Sequence, residues 1–150
     1  MLVKDYMTTS VTTLPDDGKL LDAALLIRRT GKRHVPIVSA ETGKVVGIIS
    51  DRDVSRLAPS ILSKQSQEEY NQVFESTPIT MAMTKNPLSI APDAPIAEAV
   101  QILYTKKIGA LLAVEDGELK GILTVSDMLG LLNELLSGGE SKKSDASVGM

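Results

Sequence analysis

The chain repeats itself, and that duplication limits what it can fold into more than any other feature of the sequence. Tyr6-Met7-Thr8 returns as Ala82-Met83-Thr84, an offset of 76. Leu14-Pro15-Asp16 recurs as Ala91-Pro92-Asp93 at an offset of 77, and Asp22-Ala23 recurs as Glu98-Ala99 at 76. His34-Val35-Pro36-Ile37-Val38 then corresponds to Ala110-Leu111-Leu112-Ala113-Val114. Gly47-Ile48-Ile49-Ser50-Asp51-Arg52-Asp53 comes back as Gly121-Ile122-Leu123-Thr124-Val125-Ser126-Asp127, where the offset has dropped to 74. The two missing residues fall in a turn, where a length change costs least.

Each copy reads as strand, helix, strand, strand, helix. Leu20 to Ile27 carries apolar residues at helical spacing and stops at Gly31, and its counterpart begins at Ile96 behind Pro95. Two β-branched runs follow in each copy, Val35–Val38 with Val45–Ile49 and Leu111–Val114 with Leu119–Thr124, joined by Gly-containing turns as hairpins. Second helices are expected from about Asp51 and Ser126. A copy of about 55 residues has little core of its own. The expected fold is therefore α+β, with two pseudo-twofold-related βαββα copies packed through their sheets and two clefts related by the same pseudo-symmetry. The expected boundaries are 1–57 for the first copy, 58–79 for a partly helical linker, 80–136 for the second copy and 137–150 for a disordered tail.

Composition removes several function classes. With no cysteine there is no disulfide, thiolate metal site or cysteine nucleophile, and the single histidine, His34, rules out an all-histidine metal site within one chain. A net charge of −3 and an aromatic content of 3% do not suit a duplex-binding stripe or a base-stacking platform, so no nucleic-acid partner is expected. The beginning of the chain lacks an apolar signal core, and no apolar run reaches the ~18 residues of a membrane span. A cytoplasmic location without membrane contact is expected. Asp51 and Asp53 are two apart on a helix and do not face each other, so joint chelation is not expected, and Thr42-Gly43-Lys44 is only a fragment of a phosphate loop.

The two ordered closing motifs, glycine, apolar, any, Ser/Thr, any, any, Asp, at Gly47–Asp53 and Gly121–Asp127, resemble those of the cystathionine-β-synthase-type (CBS) domains, whose tandem pair forms a Bateman module. The resemblance runs from about Leu2 to Leu136. Within that family the linker, with Arg56-Leu57-Ala58-Pro59 and Glu69-Tyr70-Asn71, is similar to that of acetoin-utilization-type CBS pairs. The resemblance implies a non-catalytic regulatory module that binds an adenosine-containing ligand, AMP, ADP, ATP or S-adenosylmethionine, with or without magnesium. It also implies a homodimer joined through helices, and a downstream protein partner.

The chemistry of the motif fits that implication. Ser50 and Thr124 stand where a strand feeds a helix, and a helix start offers unpaired donors and partial positive charge to a phosphate. Asp53 and Asp127 have two acceptor oxygens each, enough for a ribose diol, the role the resemblance assigns to them. A Ser or Thr followed three residues later by an acid is equally a capping box, and spacing alone leaves both readings open. Lys32, Arg33 and His34 form a cationic cluster before the first central strand, suited either to a ligand phosphate or to a helix C-terminus. The second copy has Ile108-Gly109-Ala110 there, which suits a flat purine, so the clefts are expected to be unequal, with the one at Asp53, Ser50, Arg33 and His34 preferred. Val11, Thr12, Leu88 and Ser89 fall where the family lines its adenine pocket, with Pro36 nearby. A ligand-free scaffold is the competing function, and a metal-assisted phosphate hydrolase built on the acidic clefts ranks below both; the lone histidine has no evident serine partner for nucleophilic chemistry.

Overall fold

The computed structural model describes residues 1–57 and 67–138. In chain order the elements are α1 (Val3–Tyr6), β1 (Leu14–Pro15), α2 (Leu20–Thr30), β2 (His34–Val38), β3 (Val45–Ser50) and α3 (Asp51–Leu57). They continue as α4 (Gln67–Ser76), a 3-10 turn at Ile79–Met81, β4 (Thr84–Lys85), β5 (Ser89–Ile90), α5 (Ile96–Lys106), β6 (Ala110–Glu115), β7 (Glu118–Thr124) and α6 (Val125–Leu136). The α+β architecture and both hairpins are as the residue pattern implies. The expected tail beyond Gly138 and the start of the linker lie outside the described residues.

In both copies the first strand lies parallel to the second and the second antiparallel to the third, Leu14 opposite Ile37 and Val35 opposite Ile49, then Ser89 opposite Leu112 and Leu111 opposite Leu123. The sheets meet through Ala110, Leu112 and Ile122 on one side and Val45 and Ile48 on the other. On its outer face each sheet is covered by its own helices. Leu20, Ala23, Val35, Ile37 and Ile49 form the first core, and Ile96, Ala99, Leu103, Leu111 and Leu123 the second. Ten residues of α4 add the buried Phe74 to the first core, so the linker takes part in the fold.

The copies also exchange their leading segments. Val3, on α1 ahead of the first copy, is fully buried in the second core, and its N–H donates to the Ala94 carbonyl at 2.9 Å. Ile79, at the equivalent position ahead of the second copy, is fully buried in the first core, and its N–H donates to the Gly18 carbonyl at 3.0 Å. The strands follow suit: Thr84 pairs with Ile48 as the fourth strand of the first sheet, and Thr8 exchanges two 2.9 Å backbone bonds with Ile122. A self-contained βαββα unit is therefore only a partial description. Each half is completed by backbone and apolar side chains from the other, a long-range pairing that alternation within one copy cannot disclose.

Candidate functional site

At the end of β3 the chain turns directly into α3, and Ser50 and Asp53 close that turn on each other. The carboxylate Oδ2 of Asp53 accepts from the Ser50 N–H at 2.8 Å and from its hydroxyl at 3.0 Å, while the Asp53 N–H donates back to Ser50 Oγ at 3.2 Å. Its Oδ1 accepts from Arg56, one turn further along α3. Asp53 is buried, and these bonds answer the cost of burying a carboxylate. In the second copy Oδ2 of Asp127 accepts from the Thr124 N–H at 2.8 Å and the Asp127 N–H donates to Thr124 Oγ1 at 3.2 Å, without an arginine. Both motifs are capping boxes.

A groove of about 1150 Å³ opens beside the first of these turns. It brings Arg33, His34, Ser50 and Asp53 of the first copy together with Leu88, Ile108, Gly109 and Ala110 of the second. Arg33 reaches Asp51 at 3.3 Å, so Asp51 and Asp53 point to different partners, and among the described residues no group of His, Asp and Glu is arranged to hold a metal ion. The groove exceeds the roughly 300–1,000 Å³ usual for small-molecule sites. Its polar end runs on into an apolar end between α5 and α6, past Tyr104, Leu129 and Leu135.

Val11 and Thr12 lie elsewhere, in a small cavity of about 30 Å³ shared with Lys32, His34 and Ile122. Pro36 is buried within β2 opposite Ile48, Ser89 sits exposed on β5, and Thr124 and Asp127 close the second helix start; none of the four lines either cavity. The two clefts are thus unequal in size, and the larger draws its walls from both copies. Residue reasoning missed Ile48, which follows the motif glycine and points to the opposite face from buried Ile49, a period-two signal available in the sequence. It also missed the apolar end. α6 carries Leu129, Leu132, Leu135 and Leu136 in addition to the buried Leu131, more than one core-facing stripe requires, and those four are 47–76% exposed.

His34 stands at the junction of the two cavities. Its ring lies on Gly109, where a Cβ would come within 2.8 Å of Nε2, and burial pushes its pKa below the usual 6.5, with Asp51 opposing the shift. Burial thus favours the uncharged form of the ring.

Comparison with known proteins identifies the fold. The family model for the CBS domain matches twice, over residues 3–60 and 78–134. A CBS domain-containing protein of Dictyostelium discoideum is 30% identical over 137 residues, covering 91% of this chain and 94% of its own. The crystal structure of a putative acetoin utilization protein from Vibrio cholerae superposes with a TM-score of 0.75 at 35% identity, covering 91% of this chain and 93% of that one. The CBS domain pair of protein MJ0100, solved in complex with 5′-methylthioadenosine and S-adenosyl-L-methionine, superposes with a TM-score of 0.73 at 26% identity over 90% of this chain and 98% of that one. No helix among the described residues is long and apolar enough to cross a membrane. With two family matches, the duplicated closing motif and the exchanged leading segments all in one chain, this protein belongs to the CBS-domain family as a tandem pair.

Proposed function

We propose that the chain is a non-catalytic regulatory module that binds an adenosine-containing ligand in the groove at Asp53 and passes the occupancy on through contacts of α5 and α6 with a second copy or with a downstream protein. The observation that carries this reading is the composition of the groove's polar end. One carboxylate, one hydroxyl and the start of α3 face small and apolar groups from the other copy, a set suited to a ribose, a phosphate and a purine respectively. The adenosyl ligands of the MJ0100 pair support the ligand class. Asp53 would take the ribose diol by releasing Oδ1 from Arg56. The apolar end, with Tyr104 79% and Leu135 60% exposed, supports a homodimer joined through these helices. An energy-sensing role in the cytoplasm, with AMP, ADP or ATP as the ligand and magnesium accompanying the phosphates, is the finer form of the same reading.

One observation favours a second reading, a ligand-free scaffold for dimerisation or docking: both oxygens of Asp53 already have partners within the chain. A thermal-shift panel of AMP, ADP, ATP, S-adenosylmethionine and 5′-methylthioadenosine, with and without magnesium, separates the two. A ligand present at ~100 times its Kd adds ~2.7 kcal/mol, roughly 5–10 °C for a chain of this size. A rise with any member supports the sensor; no rise with any of them leaves the scaffold. Release of inorganic phosphate during incubation would overturn both.

A further inference from the structure

Among the described residues His34 is the one that lines both cavities. It opens β2, and its ring crosses onto the backbone of Gly109 in the other copy, in the space a side chain there would fill. On one side it faces the large groove, with Arg33, Asp51, Arg52 and Asp53 from its own copy and Lys107 at the end of α5. On the other it faces the small cavity, with Lys32, Val11 and Thr12. The equivalent residue of the second copy is Ala110, which carries no charge in either direction. One imidazole therefore stands where two-fold symmetry would have placed two.

We infer that His34 is a shared wall of the groove and the small cavity, so that an anion bound in the groove is registered at Val11 and Thr12 through this single ring. This rests on the groove being the ligand site, and it goes beyond that reading by tying the second cleft to the first. An anion beside the ring favours its charged form, and that charge acts across the ring on the groups that line the small cavity. A neutral ligand in the groove leaves the ring uncharged, and the small cavity unaffected.

Because His34 is the sole histidine, its ring protons give one resolvable NMR titration. The titration is run on the full chain, free and with saturating AMP or 5′-methylthioadenosine, while amide signals of Ser50 and Thr12 report the groove and the small cavity. With AMP the imidazole midpoint is expected to rise by about one pH unit, a tenfold change in proton affinity, and with 5′-methylthioadenosine to stay where it was. The Thr12 amide should follow the Ser50 amide with one common Kd. In His34→Gln, AMP should still move Ser50, at weaker affinity, and leave Thr12 still. Gly109→Ala, which displaces the ring without removing it, should return the free midpoint towards 6.5 and serves if the first variant does not fold. AMP bound at Ser50 with an unmoved imidazole, or with Thr12 still responding in His34→Gln, overturns the inference and leaves the ligand site standing. Binding of 5′-methylthioadenosine but not AMP does the same. Failure of every ligand in the thermal-shift panel overturns both.

Discussion

Met83 lies across Gly47 so closely that its Sδ stands 2.5 Å from where a Cβ on that glycine would be, and Met7 lies across Gly121 in the same way at 2.6 Å. The carbonyl oxygens of Thr84 and Thr8 close the same spaces at 3.0 and 2.9 Å. The glycine that opens each closing motif is thus explained by packing: it admits the leading segment exchanged from the other copy. A thioether can bend away, but a backbone oxygen held in a ladder cannot. Gly47→Ala and Gly121→Ala should each destabilise by about 1–3 kcal/mol through overpacking. In thermal unfolding that is roughly 2–4 °C for each kcal/mol. Gly130, within α6 with nothing inside 4 Å of its absent Cβ, is the control: Gly130→Ala should stabilise by about 0.4–1 kcal/mol, seen as a slight rise in Tm. Equal losses at all three positions would contradict the steric account.

Asp53 does structural work at the start of α3 whether or not a ligand is present, so Asp53→Ala should reduce stability as well as binding. Loss of the cap costs about 1–2 kcal/mol, read in Tm. Ligand affinity should fall more than this stability loss explains, because a charge-assisted pair of about 1.5–3 kcal/mol is lost with it, roughly 10- to 150-fold in Kd. Arg56→Gln separates the two effects. Arg56 is 68% exposed, so its pair with Asp53 contributes less than about 1 kcal/mol to folding, and removing it frees Oδ1 for a ribose. Calorimetric titration of adenosine ligands should then show tighter binding to Arg56→Gln than to the parent chain. Weaker binding would mean that Arg56 itself holds the ligand.

Much of this was legible in the residues because duplication reports twice on every local choice. The helix at Ile96–Lys106, the hairpins and the two helix starts follow from periodicity and turn chemistry, which act within a few residues. The exchange of leading segments was not legible, although Met7 and Met83 stood in the repeat. Their partners Gly121 and Gly47 lie in the opposite copies, and no short-range pattern names a partner that far along the chain. Phe74 was hidden for the same reason: α4 reads as a polar connector, and only the folded structure shows Phe74 filling the first core. Arg33, His34, Ser50 and Asp53, close together at the strand ends, line one groove, while Val11 and Thr12 line the smaller cavity, a separation set by long-range packing that local pattern does not carry.

His34 also sets a dependence of stability on pH. Burial holds its pKa below 6.5 in the folded chain, so in the window beneath that value the unfolded chain binds more protons. The contribution is therefore favourable above pH 6.5 and is lost as pH falls through 6.5 towards the folded-state midpoint. Denaturant unfolding between pH 5 and 8 should show a decline on the acid side that His34→Gln flattens, set against the decline common to both from carboxylates. A curve for His34→Gln parallel to that of the parent chain would place the ring in solvent.

Lys107 ends α5 in the left-handed conformation, φ 54° and ψ 43°, at the position where the first copy has Gly31 with φ 75°. A side chain in that conformation costs about 1 kcal/mol that glycine does not. Lys107→Gly should therefore raise Tm by roughly 2–4 °C, the direction opposite to most substitutions. The strain sits at the lip of the groove, where the lysine adds a cation to the side facing Arg33 and His34. A destabilised backbone retained at a site points to use of the side chain there. The same variant should then bind AMP several-fold more weakly while its affinity for 5′-methylthioadenosine, which has no phosphate, stays unchanged in calorimetric titration. A variant that is both more stable and undiminished for AMP would assign Lys107 to the solvent.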